Sequence, residues 1–438
     1  MRIELHCSPS LHGECVVPGD KSLSHRAALL ASLAEGESRI ENYLDSGVTR
    51  AMLNALKSLS VRWVLDGDIL TIQGMGPRGF RPTQDVLNCG HSATTLRLLT
   101  GALAGANVAC VLDGSPGLRT RPMGRIVDPL REMGVPIESA SGNTAPLTLS
   151  RRRPGERLKA LSTSLPVASA QVKSAILLAA LGADGVTKVD EPGPSRDHTE
   201  RLLSSMGVQV ACDPVAFRVT LIPPSRPLQP LQLCLPGDIS SGAFLICAAL
   251  IVPGSEITLH DVGLNPTRIG LLNALEAMGA QIEMQLKADE HGEPVGDVHV
   301  TASDLHGIEV EGALVVRMID EFPIFAVVAA VAEGETVVRG AQELRYKESD
   351  RISGLCRELS SVGANIEELP DGFRIQGRQT LRGDAQVSSH GDHRLAMALY
   401  VAGLVAEQPI VLEDAEIIAQ SFPGFVGQLQ DLGAEVVA

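Results

Sequence analysis

Residues 19–36 read GDKSLSHRAALLASLAEG, a short polar element followed by an apolar helix rich in alanine and leucine. Five further stretches begin in the same way: CGHSATTLRLLTGALAG at 89–105, SAQVKSAILLAALGADG at 169–185, GDISSGAFLICAALIVPG at 237–254, IDEFPIFAVVAAVAEG at 319–334 and GDHRLAMALYVAGLVAEQ at 391–408. They recur roughly every 75 residues, and self-similarity at a fixed period indicates structural repeats. We therefore predict six copies of one unit.

The rest of each unit follows a common order. A short β-branched segment such as SRIENYL or ETVVRG comes after the first helix, and a second amphipathic helix follows it. In five units this helix ends on a glycine before alternating apolar residues, as in RIVDPLREMGVPIE, while the first unit has the looser form AMLNALKSLSVRWVLDG. The pattern predicts helix, glycine cap and strand. We predict an α/β (α+β) protein of six β-α-β-α-β-β repeats, since chance similarity between ordinary crossovers would have to recur six times.

Composition narrows the class of protein. A chain of 438 residues with 44% hydrophobic and 20% charged residues has a natural length for two domains with large cores. The formal net charge of −15 disfavours non-specific nucleic-acid binding. No long apolar run predicts a membrane span, and MRIELHCSPS does not resemble a signal peptide. Eight scattered cysteines without a CxxC pair fit a reducing cytoplasm.

Polar and charged residues gather at the starts of the first helices. Lys21, Ser22 and Arg26 lie in the first two turns of one of them. Helix starts favour anions because their free N–H groups and the positive end of the helix dipole lie there. If several starts converge, they form a pocket for two or three anionic groups; a solvated charged face remains the alternative for any single residue. Further polar or charged residues of the helix starts and of irregular loops are Arg97, Ser169, Gln171, Asp320, Asp392, Arg394, Arg119, Arg121, Arg196, Lys347, Glu348 and Arg351.

Several common sites are not indicated. There is no GxxxxGK[ST] and no GxSxG elbow. His25, His198 and His393 each neighbour an arginine or an aspartate, but they belong to different units and lack zinc-ligand spacing. Hydrogen-bonding or packing roles are therefore expected for them. Cys89 precedes a helix start, where a buried small residue is favoured over an activated thiol.

With these residues the chain resembles the EPSP synthases, the 3-phosphoshikimate 1-carboxyvinyltransferase family. The resemblance runs nearly from end to end, through eight motifs in order: PGDKSLSHR (18–26), NCGHSATTLR (88–97), RTRPMGRI (119–126), VASAQVKSA (167–175), SRDHTE (195–200), RMIDEFP (317–323), LRYKESDR (344–351) and GDHRLAMA (391–398). It implies a two-domain inside-out α/β barrel with three repeats in each domain and the helices packed inside. The first domain would combine 1–20 with 238–438, and the second would span 21–237.

The resemblance also implies a reaction. The enolpyruvyl group of phosphoenolpyruvate would pass to the 5-hydroxyl of shikimate 3-phosphate, giving 5-enolpyruvylshikimate 3-phosphate and phosphate in the shikimate pathway of aromatic amino-acid biosynthesis. The substrates would bind in a cleft that closes between the domains. No metal, cofactor, nucleic acid or membrane is expected to take part, and we expect a cytoplasmic monomer.

The family's site residues carry over as follows. Positions matching contacts of shikimate 3-phosphate are Lys21, Ser22, Arg26, Ser169, Ala170 and Gln171, of which Lys21 and Gln171 would also reach phosphoenolpyruvate; Arg196 would be a phosphate neighbour. Positions matching phosphoenolpyruvate contacts are Ala93, Arg121, Arg351 and Arg394. Asp320 matches the acid–base aspartate beside the substrate hydroxyl. Lys347 and Glu348 match its proton-handling neighbours. Lys21, Lys347 and Glu348 are the candidates to give and recover the carbon proton, and the sequence does not rank them.

Two positions depart from the usual family pattern. His91 stands where asparagine is common, and Gln420 stands where many members have lysine. Many glyphosate-sensitive relatives have glycine at the position of Ala93, whereas a second class of the family has alanine there. With Ala93 and Gln420 the chain resembles this second class, which predicts glyphosate tolerance. One alternative is the related transferase that acts on UDP-N-acetylglucosamine, but that family has a reactive cysteine in the loop matching SPGLRTRPM, and none occurs here. The other is a non-catalytic anion-binding relative, which the set Asp320, Lys347 and Glu348 disfavours.

Overall fold

The computed structural model describes residues 1–83, 86–377 and 380–437. The strands are β1 (Ile3–Leu5), β2 (His12–Val16), β3 (Glu35–Glu41), β4 (Arg62–Asp66), β5 (Ile69–Met75), β6 (Val86–Asn88), β7 (Cys110–Asp113), β8 (Ile137–Ala140), β9 (Thr144–Leu149), β10 (Ser162–Ser164), β11 (Thr187–Asp190), β12 (Gln209–Asp213), β13 (Arg218–Ile222), β14 (Gln232–Cys234), β15 (Glu256–Gly263), β16 (Gln281–Glu290), β17 (Glu293–Thr301), β18 (Glu309–Val310), β19 (Glu335–Val338), β20 (Asn365–Leu369), β21 (Gly372–Gln376), β22 (Ala385–Ser388), β23 (Ile410–Glu413) and β24 (Val436–Val437).

The α-helices are α1 (Lys21–Leu33), α2 (Gly47–Ser58), α3 (Ala93–Gly105), α4 (Pro116–Arg119), α5 (Gly124–Glu132), α6 (Ala170–Ala180), α7 (His198–Ser205), α8 (Ile239–Ile251), α9 (Gly270–Ala277), α10 (Ala313–Arg317), α11 (Phe322–Val331), α12 (Arg351–Ser361), α13 (His393–Gly403) and α14 (Phe425–Asp431). Short 3-10 helices lie at Gln342–Tyr346 and Ala415–Gln420. Among the described residues, none of these helices is long and apolar enough to cross a lipid bilayer.

Within the described ranges the strands form six four-stranded sheets of one topology. In the sheet β6-β7-β9-β8, for example, the first pair is parallel and the other two pairs are antiparallel. A parallel pair needs a crossover, which α3 supplies between β6 and β7, whereas the antiparallel β8 and β9 need only a tight turn. The predicted β-α-β-α-β-β repeat is confirmed.

Two first strands are exchanged along the chain. β14 runs parallel to β3, so the repeat that contains α1 takes its first strand from a much later segment. β2 runs parallel to β15, so the repeat that contains α8 takes its first strand from near the N-terminus. β1 completes the last sheet between β23 and β24.

The contacts divide the described chain into two compact units. Unit 1 comprises Met1–Pro18, Pro236–Ala288 and Pro294–Ala438, and unit 2 comprises Gly19–Leu235 and Asp289–Glu293. These bounds differ from the sequence expectation by two residues at each main crossing and by the short segment Asp289–Glu293. This segment spans the end of β16, the turn and the first residue of β17, and it is grouped with unit 2.

The first helix of each repeat is buried on nearly all sides. In unit 2 these helices are α1, α3 and α6, and in unit 1 they are α8, α11 and α13. A helix that is apolar all round belongs in a core. The strands instead alternate buried and more exposed residues, as β5 and β9 do, so each sheet turns one face away from the core. Helices inside and sheets outside are the inside-out arrangement expected for each unit.

The second helices end as the glycines predict. Gly134, Gly207, Gly279, Gly363 and Gly433 follow them with φ between +87° and +106°. The looser first repeat has Ser60 at the equivalent place, with φ of +69°. The chain therefore makes the same left-handed turn there without a glycine.

Small residues bring α3 and α6 close together. A Cβ on Gly101 would lie 2.1 Å from the carbonyl oxygen of Ala175, and one on Gly182 would lie 2.3 Å from the carbonyl oxygen of Gly105. Because backbone touches backbone both within the helices and at their C-terminal ends, α3 and α6 are held at a fixed spacing.

Replacing Gly101 by alanine is expected to lower the free energy of unfolding by about 1–3 kcal/mol, since a methyl group would have to separate two packed backbones. Urea denaturation measures the change. Gly427→Ala is the matched control, because this helical glycine in α14 has open space around it and should be neutral or slightly stabilising. Equal stability of the Gly101→Ala protein and the unsubstituted chain would contradict the close packing.

Candidate active site

In unit 2 the three buried helices begin at polar caps. The Asp20 side chain accepts from the Leu23 N–H at 2.8 Å, and Ser92 Oγ accepts from the Thr95 N–H at 3.1 Å. Ser169 caps α6 in the same way, with a longer distance of 3.5 Å to the Val172 nitrogen. Each helix therefore starts at a defined residue, with its first-turn N–H groups and dipole available to favour an anion.

Arg26 is buried and held from three sides. Its Nε donates to Thr199 Oγ1 at 2.8 Å, its Nη2 donates to Ser174 Oγ at 3.1 Å, and its Nη1 donates to the Ser22 carbonyl at 3.1 Å. The guanidinium therefore joins α1 to α6 and α7. Its neighbour His25 is also buried and bonds through Nδ1 to the Lys21 carbonyl at 2.7 Å. Burial lowers the pKa of His25 to about 4, so its ring is a neutral hydrogen-bonding group.

Gln171 is tied to the start of α3. Arg97 Nη1 donates to its Oε1 at 2.6 Å, and its own Nε2 donates to Thr94 Oγ1 at 2.9 Å. The second Arg97 nitrogen, Nη2, donates to the Pro122 carbonyl at 3.0 Å, beside Arg121. The structure thus brings together three segments that sequence motifs placed in one site.

The other predicted residues of unit 2 lie at element ends. Lys21 and Ala170 are the first residues of α1 and α6, and Ala93 is the first residue of α3, with 4% of its surface exposed. Arg196 precedes α7 and is half-buried. Arg119 forms an exposed ion pair with Asp113.

The turn before α3 does not depend on the His91 side chain. The N–H of Gly90 donates to Asn88 Oδ1 at 2.9 Å, and the N–H of Ser92 donates to the Cys89 carbonyl at 3.0 Å. His91 is exposed. Cys89 is buried, and burial raises the pKa of its thiol, which therefore stays protonated.

In unit 1 the carboxylate of Asp320 lies among cations just before α11. Its Oδ1 lies 3.1 Å from Lys347 Nζ and 3.3 Å from Arg351 Nη1. Arg394 Nη1 donates to the Asp320 backbone carbonyl at 2.9 Å. A half-buried carboxylate held by several donors is fixed in place and can exchange a proton at one defined position.

Arg351 is fully buried and is shared between two further carboxylates. Its Nε donates to Asp392 Oδ2 at 2.7 Å, and its Nη2 donates to Glu348 Oε2 at 2.7 Å. Burial acts to lower the pKa of Arg351, but Asp392, Glu348 and Asp320 more than offset it and the net shift is upward. Burial acts to raise the pKa of Asp392, and Arg351 more than reverses that effect. Both groups are therefore charged at neutral pH.

A second network in unit 1 lies next to the first. Arg268 Nη2 donates to Asp238 Oδ1 at 2.9 Å and to Ser240 Oγ at 2.8 Å, and Ser240 in turn donates to Glu321 Oε1. Arg394 Nη1 lies 3.4 Å from the same Glu321 oxygen. These contacts link the starts of α8, α11 and α13.

The sequence motifs did not single out Glu321, Arg268 or Ser240 for the site. One signal was available for the capping residues, because the dipeptide Gly-Asp opens three of the six repeats. Each of these aspartates caps its helix: Asp20 through the Leu23 N–H, Asp238 through the Ser240 N–H and Asp392 through the Arg394 N–H. Aligning the repeats would have identified all three caps.

His198 lies in another polar group of unit 2. Its Nδ1 is 2.7 Å from Glu293 Oε1, and the ligand atoms of Asp197, His198 and Glu293 lie within 4.8 Å of one another. Asp197 Oδ2 also pairs with Arg201 Nε at 2.9 Å. Such a trio could hold a cation, but these contacts supply protein partners for the imidazole and for both carboxylates.

Taken separately, the two units offer complementary chemistry. Unit 2 presents arginines at helix starts, which suit phosphate groups, and unit 1 presents an acid–base carboxylate among cations. The fold is that of enolpyruvyl transferases: the enolpyruvyl transferase NikO from Streptomyces tendae matches it with a TM-score of 0.80 over 100% of this chain and 98% of that one. At 19% identity this likeness concerns the fold alone.

Comparison of the sequence gives the family. The family model described as EPSP synthase (3-phosphoshikimate 1-carboxyvinyltransferase) matches residues 6–429. A 3-phosphoshikimate 1-carboxyvinyltransferase from Desulforudis audaxviator is 47% identical over 99% of this chain and 100% of its own length. One from Syntrophotalea carbinolica is 49% identical over 95% of each chain. The solved EPSP synthase from Acinetobacter baumannii is 35% identical, with a TM-score of 0.88 and full coverage of both chains. The chain belongs to the EPSP synthase family and is therefore a transferase of the shikimate pathway.

Proposed function

We propose that this enzyme joins phosphoenolpyruvate to the 5-hydroxyl of shikimate 3-phosphate with the residues of the two clusters. The hydroxyl oxygen bonds to the central carbon of phosphoenolpyruvate while the methylene carbon takes up a proton. The bond from the central carbon to the phosphate oxygen then breaks, and the new methyl group loses a proton to form the enol ether. The products are 5-enolpyruvylshikimate 3-phosphate and inorganic phosphate.

Asp320 would take the proton from the substrate hydroxyl. The observation that carries this proposal is its fixed position, with Oδ1 at 3.1 Å from Lys347 Nζ and 3.3 Å from Arg351 Nη1. A base must be held within reach of the proton that it removes, and positioned acid–base groups typically contribute about 10²–10⁴-fold to rate. Arg351 and Arg394 would bind anionic groups of phosphoenolpyruvate, since arginine forks suit phosphate and carboxylate.

Shikimate 3-phosphate would bind to a group of residues in unit 2, namely Lys21, Ser22, Arg26, Ser169, Ala170, Gln171 and Arg196. Ala93 and Arg121 would contact phosphoenolpyruvate. In support, Arg26 and Gln171 are each fixed by two or more side-chain contacts, so they are ordered before any ligand arrives and less entropy is lost on binding. Lys21, Lys347 and Glu348 remain the candidates for transfer of the carbon proton.

Phosphate release with different acceptors tests the proposal. With phosphoenolpyruvate present, we expect phosphate to form in proportion to shikimate 3-phosphate, and not with UDP-N-acetylglucosamine. The reverse preference would indicate the related sugar-nucleotide transferase. Binding of shikimate 3-phosphate without any phosphate release would indicate a non-catalytic relative.

We further propose that the enzyme works as a monomer in the cytoplasm. Its eight cysteines are free thiols, as is usual for proteins of reducing compartments. Light scattering coupled to size exclusion at micromolar concentration tests the oligomeric state, and a mass near 46.2 kDa is expected.

A further inference from the structure

A buried ion-pair trio lies behind the start of α6. Lys173 Nζ is 2.7 Å from Glu191 Oε2 and 2.8 Å from Glu200 Oε1, and all three side chains are at most 4% exposed. Glu191 follows β11, and Glu200 lies in the first turn of α7. Buried charges of this kind are costly and are a poor source of stability compared with an apolar core. Stabilisation of the fold alone is therefore a poor explanation for this trio.

Glu191 links two segments that carry proposed substrate contacts. Its Oε1 accepts from the backbone N–H of Ser169 at 2.9 Å, and its Oε2 accepts from Ser195 Oγ at 2.8 Å. Ser169 caps α6 and precedes Ala170 and Gln171, while Ser195 precedes Arg196. One carboxylate thus fixes the start of α6 relative to the loop before α7.

Lys173 extends the same connection. It lies one turn after Ser169 in α6, and helical side chains lean towards the N-terminus, which brings its ammonium group back to the helix start. Its neighbour Ser174 and Thr199, the neighbour of Glu200, both accept hydrogen bonds from Arg26. The trio therefore runs alongside the contacts that hold Arg26.

We propose that Glu191 is a positioning residue for shikimate 3-phosphate, which sets the start of α6 and the Arg196 loop at the spacing that the substrate requires, with Lys173 holding its carboxylate in place. This inference rests on the proposed function, because it assumes that Ser169, Gln171 and Arg196 bind that substrate.

The substitution Glu191→Gln separates this role from a simple charge effect. Both oxygens of Glu191 face donors, so an amide, with one acceptor and one donor end, cannot satisfy both sides in either orientation. The substitution also removes one negative charge from beside an anion site. Coulomb attraction alone would then favour the substrate and lower its KM, whereas lost positioning would raise it.

We expect the KM for shikimate 3-phosphate to rise about tenfold or more in Glu191→Gln, as for loss of one hydrogen bond to a charged group. The KM for phosphoenolpyruvate should rise by a smaller factor, because Gln171 is the only one of these positioned residues that would also contact that substrate, and kcat should stay close to that of the unsubstituted enzyme. Ser195→Ala removes only the link to the Arg196 loop and should raise the same KM by a smaller factor, about threefold. Because both changes break one connection, their effects in the double variant should fall short of the product of the single effects.

The control is Asp190→Asn, which neutralises the adjacent carboxylate. Asp190 is more exposed, and its partner is Arg218, at 2.6 Å, so all kinetic constants should stay unchanged. Urea unfolding of each variant measures stability in parallel. A purely structural role would lower stability and the active fraction without changing KM.

An unchanged or lower KM for shikimate 3-phosphate in Glu191→Gln would overturn the proposal. If that variant fails to fold, Ser195→Ala decides, and no rise in its KM would have the same consequence. Absence of phosphate release by the unsubstituted enzyme with shikimate 3-phosphate would instead contradict the proposed function, whatever the variants do.

Discussion

Replacing Asp320 by asparagine is expected to lower kcat by about 10²–10⁴-fold, the usual contribution of a positioned acid or base. Asparagine is nearly isosteric and keeps an oxygen that can accept from Lys347. The backbone carbonyl that accepts from Arg394 at 2.9 Å is also unchanged. The amide cannot take up the hydroxyl proton, so turnover should fall while affinity for shikimate 3-phosphate stays within a few-fold. Phosphate release and calorimetric titration on one preparation measure the two quantities.

Asp350→Asn provides the matched control for this substitution. Asp350 is an exposed cap of α12 that accepts from the Ser353 N–H at 3.1 Å, and asparagine caps helices about as well as aspartate. Its kcat should therefore remain that of the unsubstituted enzyme. If Asp320→Asn also turns over at close to that rate, Asp320 is not the base and the assignment is wrong.

Much of the fold could be predicted because each repeat carries its own local signals. The glycine after each second helix takes a left-handed conformation in five repeats, and the apolar first helices are buried as their composition indicates. The exchange of β2 and β14 could not be predicted in this way. A strand of three to five residues shows which side chains share a face, but not which strand lies next to it.

The residues of the proposed site likewise fall into those that sequence motifs predicted and those that only the structure shows. Asp320, Lys347 and Arg351 were selected from motifs, and the structure brings their charged groups into contact. Glu191 and Glu321 were not selected, because sequence patterns place charged residues on solvated faces, and both are buried. Their partners come from other elements, so only the tertiary structure shows why these charges can be accommodated inside.

The Ala93→Gly variant is expected to be inhibited by glyphosate at about ten- to a hundredfold lower concentration than the unsubstituted enzyme. Ala93 is the first residue of α3 and is almost fully buried, so its methyl group has a fixed position at the helix start where phosphoenolpyruvate is proposed to bind. Glyphosate resembles phosphoenolpyruvate but is slightly longer, and an overlap with one methyl group costs about 1–3 kcal/mol. Removal of the methyl group lets the ligand approach the backbone.

Inhibition by glyphosate must be compared at matched phosphoenolpyruvate concentration relative to KM, because the two ligands compete. Ala313→Gly makes the same change at the first residue of α10, where the side chain is exposed, and should leave inhibition unchanged. It also controls for the weaker helix propensity of glycine, about 1 kcal/mol in a helix interior. The turn before α3 is held by backbone contacts and by Asn88, while the His91 side chain is exposed. The position of the Ala93 methyl group should therefore not depend on His91. Strong inhibition of the unsubstituted enzyme, or no gain in sensitivity for Ala93→Gly, would show that the methyl group does not set tolerance.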